Sequence, residues 1–101
     1  MKIKAGVKLD KLQPQMALVL IQVERVWNMH GLEATLTSGN DGKHRTNSLH
    51  YQGLALDFRT RDLTDSKAQF FAEQVADALG SEFDIVLEFN PRHLHAEFDS
   101  L

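Results

Sequence analysis

The sequence predicts an α+β fold, a small and mainly antiparallel sheet packed against two helices, within one domain spanning residues 1–101. Three observations predict it. Two stretches, from position 14 to about 30 and over 65–79, carry apolar residues at helical spacing. Short segments around them alternate apolar and polar residues, the period of a half-buried strand. The last two such segments flank Asn90-Pro91-Arg92, a turn that would close a β-hairpin. The expected element order is β-α-β-β-α-β-β.

Ile3, Ala5 and Val7 alternate with Lys2 and Lys4 as a first strand. Pro14 suits the first turn of a helix, where its missing N–H leaves no bond unmade, and Gly31 suits the stop. On that helix Leu18, Ile21, Arg25 and Asn28 share one side, and Leu20, Val23, Trp27 and His30 another. Most of its apolar positions are expected to be buried, Trp27 among them. Leu32, Ala34 and Leu36 alternate with Glu33, Thr35 and Thr37 as a second strand, ended by the turn cluster Ser38-Gly39-Asn40-Asp41-Gly42. A third strand is expected over 53–58. Ala68, Phe71, Ala72, Val75, Ala76 and Leu79 share one helical face, with Asp65 as the expected cap and Gly80 as the stop. Strands over 83–89 and 93–98 complete the set.

Composition narrows the function. A net charge of −3 gives no support for nucleic-acid binding through phosphates. With no cysteine, any metal must be held by nitrogen and oxygen. The first fourteen residues lack the apolar core of a signal peptide, and the apolar stretch over 16–26 is too short and too polar to cross a membrane. The expectation is a monomer made in the cytoplasm, with no membrane and no nucleic-acid partner.

Two short stretches carry chemistry. One is Ser48-Leu49-His50-Tyr51-Gln52-Gly53-Leu54-Ala55-Leu56-Asp57; the other is His93-Leu94-His95-Ala96-Glu97-Phe98-Asp99. Strand parity puts Gly53, Ala55 and Asp57 on one face, and Leu54, Leu56 and Phe58 on the other. The same parity puts His93, His95 and Glu97 opposite Leu94, Ala96 and Phe98. If both apolar faces meet the helices, the two polar faces converge, with open space expected beside Asp57 and His50 folding over it. His50, Asp57 and His95 would then offer zinc three ligands and leave a fourth position for water, the arrangement of a catalytic rather than a structural site.

The pattern S-x-H-x-x-G-x-A-x-D followed by a strand-borne His-x-His resembles the zinc D-Ala-D-Ala carboxypeptidase family, which includes L-alanyl-D-glutamate endopeptidases and shares its fold with the Hedgehog signalling domain. The likeness covers roughly positions 32 to 99 and is strongest to compact phage or prophage members. It implies Zn2+ on His50, Asp57 and His95, and a peptidoglycan stem peptide as substrate. It also implies a role in cell-wall lysis, and with no signal peptide expected, a phage holin or virion delivery would bring the protein to the wall. His93 matches the family histidine that would stabilise the oxyanion. Many members place an acidic base three residues before the last histidine ligand, where this chain has Arg92. Glu88 is the expected substitute, facing His93 if the hairpin loop has four residues and turned away if it has three. Glu97 and Asp99 are weaker candidates, Glu97 also as a partner of a histidine. Arg45, with Lys43 as second choice, is the expected anchor for a substrate carboxylate, and Arg59 and Arg61 could also face the substrate. Ser48 is assigned to the substrate side of the site, through a hydrogen bond that orients its loop. Tyr51 is expected to line the cleft. A metal-binding module without turnover and a structural phage protein are the alternatives.

Overall fold

Residues 1–99 are described by a computed structural model. The elements run in the expected order: β1 (Lys2–Ile3), a 3-10 turn (Pro14–Met16) leading into α1 (Ala17–Met29), β2 (Thr35–Ser38), a 3-10 turn (Leu49–Gln52), β3 (Ala55–Arg59), α2 (Asp65–Leu79), β4 (Phe83–Glu88) and β5 (His93–Phe98). The sheet order is β1-β2-β3-β5-β4. β1 pairs with β2 in parallel, and every other pairing is antiparallel.

Alternation along the strands builds the core. Leu36, Leu56, Phe58, Leu94 and Ala96 point to one side of the sheet and are fully buried. They meet Val19, Val23, Val26 and Trp27 of α1, and Ala68, Phe71, Ala72 and Val75 of α2. Trp27 stands edge-on to Phe71, with ring centroids 4.8 Å apart. Each large apolar side chain buried this way contributes about 1.5–3 kcal/mol. A one-residue slip of β3 would turn Leu56 and Phe58 outward, so the core also holds Asp57 on the open face.

Several local expectations are corrected. The first strand is only two residues long, and Ile3 is exposed. α1 turns Leu18, Ile21 and Met29 to solvent, because its buried stripe runs through Val19, Val23 and Val26 instead. β2 begins at Thr35, not near Leu32. The cap of α2 is Thr64, whose hydroxyl accepts a bond from the Lys67 amide; Asp65 lies already inside the first turn.

Gly53 lies outside β3 and does not open space beside Asp57. It ends the 3-10 turn at φ 72°, and its missing side chain admits the backbone of the N-terminal segment. A Cβ there would lie 1.8 Å from the Lys11 carbonyl oxygen. Gly53→Ala therefore combines a left-handed backbone with a clash. It is expected to cost about 2 kcal/mol or more, lowering Tm by about 10 °C in a thermal melt.

Candidate metal centre

Asp57 and His95 face each other across the β3–β5 ladder, and the next outward-facing rung pairs Arg59 with His93. Their side chains share the face opposite the core, as parity requires. His50 arrives from the 3-10 turn before β3. Ser48 caps that turn, its Oγ accepting from the His50 amide at 3.2 Å, so the hydroxyl orients the loop. The His50 ring folds back to place Nε2 3.3 Å from Asp57 Oδ1, while His95 Nδ1 lies 2.9 Å from the same oxygen. All three residues are buried.

The donor atoms of His50, Asp57 and His95 lie within 4.8 Å of one another. Bonds of about 2.0 Å at tetrahedral angles give donor–donor edges of about 3.3 Å, close to the two distances above. Each histidine is also held from behind. His50 donates its Nδ1–H to the Gly39 carbonyl at 2.9 Å, which leaves Nε2 free to ligate. His95 Nε2 meets Glu97 Oε1 at 2.7 Å, the carboxylate–imidazole arrangement that raises ligand basicity. These residues can hold a metal ion.

The electrostatics follow from the same contacts. Burial pushes the Asp57 carboxyl upward, but hydrogen bonds from His50 and His95 outweigh it and hold the group well below the usual carboxylate range. Burial works against the charged His95 ring, yet carboxylates on both of its nitrogens raise it to about 9. In the metal-free protein this pairing contributes its full stability below about pH 6.5 and loses it as pH climbs through about 9. A metal must displace that proton. From His95 alone, metal affinity is expected to rise about tenfold per pH unit and to level off above about pH 9. Metal titrations across this range, with calorimetric counting of released protons, check the slope.

The ligand atoms open into a cavity of about 520 Å3, also bordered by Glu88, His93, Ser48, Arg45 and Lys43. The hairpin loop has four residues, so Glu88 pairs directly with His93. Glu88 Oε1 sits 3.0 Å from His93 Nε2 and 3.8 Å from His95 Nδ1. His93 Nδ1 meets the Pro91 carbonyl at 2.7 Å, so both ring nitrogens face acceptors. Arg92 leaves the cavity entirely. Its guanidinium bonds Thr60 Oγ1, the Thr60 and Leu63 carbonyls and the Asp65 carboxylate, tying the hairpin to the start of α2.

Other expectations are redistributed. Glu97 is engaged with His95, and Asp99 groups with Asp84 and Glu97. Tyr51 directs its hydroxyl to the backbone of His44, not into the cavity; it accepts from the His44 amide at 2.7 Å. Arg59 and Arg61 border a neighbouring cavity. Trp27 is core, as expected. Sequence reasoning missed His44. Its ring stacks on His50 with centroids 3.9 Å apart and planes 7° apart, and its Nε2 is held by the Asp41 carbonyl at 2.9 Å. A single histidine two residues past a turn cluster carries no periodicity that would have marked it.

Compared with known protein families, residues 5–97 match the model of the Hedgehog amino-terminal signalling domain.

Proposed function

Because this chain belongs to the Hedgehog amino-terminal signalling domain family, whose fold is related to that of zinc peptidases, we propose that it is a zinc-dependent peptidase acting on peptidoglycan stem peptides. The observation that carries this reading is the position of Glu88: a carboxylate beside the His50, Asp57 and His95 donors, lining the same cavity. Zinc held by those donors would polarise the scissile carbonyl and lower the pKa of a water toward 7. Glu88 then takes the proton of the attacking water and returns it to the leaving amine. His93, with Nε2 turned into the cavity, donates to the oxyanion as it forms. Arg45, exposed on the rim, receives a substrate carboxylate, and Ser48 keeps the His50 loop in place.

In this reading the chain works as a monomer at the cell wall, reached through a phage holin or a virion, with no nucleic-acid or membrane partner. Mass spectrometry of purified peptidoglycan after digestion tests it. New stem-peptide fragments with the zinc-loaded protein, lost on adding a chelator, are the expected result. No cleavage under either condition would overturn the reading.

The family description names a signalling domain, which favours a second reading: a binding domain without turnover that keeps the His50, Asp57 and His95 group. It is favoured if the zinc-loaded protein binds stem peptides and leaves them intact.

A further inference from the structure

Asp57 and His93 are a shared wall. On one side lies the metal cavity; on the other lies a second cavity of about 360 Å3, whose remaining walls carry Lys4, Arg59 and Arg61. Arg92 borders it too, but its guanidinium is bound to Thr60, Leu63 and Asp65. The other three cations are not spent in this way. Among the described residues, no ion pair or side-chain hydrogen bond engages Lys4, Arg59 or Arg61. The chain as a whole has 14 acidic against 11 basic residues, so this clustering is not the by-product of a basic protein.

The placement follows from the sheet. Arg59 lies two residues beyond Asp57 on β3 and opposite His93 on β5. That is about 6.6 Å along the strand, the span of two residues of an extended peptide. Thr37 fixes the neighbouring backbone by donating its hydroxyl to the Asp57 carbonyl at 3.2 Å. Lys43 and Arg45 line the metal cavity, so the donors stand between two cationic rims.

We propose that Lys4, Arg59 and Arg61 form a second carboxylate subsite, so that the preferred substrate is a peptide with a carboxylate on each side of the bond cut. The substrate part of this inference rests on the peptidase reading; the binding part does not. A guanidinium fork receives a carboxylate bidentately, and arginines with no internal partner are available to do so.

Two measurements test it on the intact, zinc-loaded protein. The first uses synthetic stem peptides in pairs that differ by one carboxylate against a primary amide. The wild type is expected to lose about 10- to 100-fold in kcat/KM on one amidation, mainly through KM. The Arg59→Gln/Arg61→Gln variant should lose about the same on the acid form and almost nothing further on the amide form. Equal losses on both forms would overturn the subsite. The second measurement is independent of turnover: glutarate is titrated while the arginine side-chain NMR signals are followed. Saturable shifts at Arg59 and Arg61, and none at the internally bound Arg92, are expected. No saturable shift in the wild type overturns the subsite even if peptides are cut. If no peptide is cut but glutarate binds as described, the peptidase reading fails and the anion site stands.

Discussion

Asp57→Asn is expected to abolish stoichiometric metal binding while leaving the fold in place. Asparagine keeps the shape of the side chain, and the apolar partners of β3 lie on the other face of the sheet. What disappears is the anion that both His50 Nε2 and His95 Nδ1 approach. Losing an outer partner of a metal ligand costs about 10- to 100-fold in affinity, and losing the one charged ligand of the set must exceed that. Competition with a chelator of known affinity should give a loss greater than about 100-fold. Thermal melting of the metal-free protein separates this from unfolding. An unchanged metal content in Asp57→Asn would dismantle the proposed centre.

Glu88→Gln is the complementary experiment, because it should spare the metal and remove the chemistry. Glu88 is half exposed, at the end of β4, and makes no contribution to the core. Its nearest polar partners are His93 and His95. General acid–base catalysis by a positioned group is worth about 100- to 10,000-fold, so kcat should fall by that factor at unchanged zinc stoichiometry. The readout is single-turnover cleavage of a stem peptide alongside metal analysis. Cleavage at the wild-type rate would show that another group moves the proton.

How legible this was from residues alone depends on the range of the interaction. Pro14, Gly31 and Gly80 act within a turn of where they stand, so the order and type of the elements could be read directly. The grouping of Asp57 with His95 was legible for a related reason: parity puts both opposite apolar neighbours, and the core settles which face is which. The parallel pairing of β1 with β2 joins residues over thirty positions apart, and no local pattern encodes it. Arg92 shows the same limit in a functional position. At the usual place of an acidic base it weakens the expectation of catalysis, yet its partners Thr60, Leu63 and Asp65, from the distant β3–α2 loop and the start of α2, draw it away. The side of the Asp57–His93 wall taken by Arg59 is likewise a property of the folded sheet.

The close approach at Gly53 has a counterpart at Gly39, where a Cβ would lie 2.2 Å from the Lys8 carbonyl oxygen. Both glycines press on the segment over residues 8–12. One supplies the carbonyl that holds His50, and the other ends the turn that carries it. Asn40 and Gln13 add further bonds between the same layers. Residues 8–12 thus act as a backing plate for the two segments that hold and carry His50, and if His50 binds metal, linkage makes that relation mutual. Any factor by which docking of this segment tightens metal binding is the factor by which metal tightens the docking. If metal binds there, slower amide exchange over residues 8–13 on adding zinc is the expected result, read from the far side of the loop.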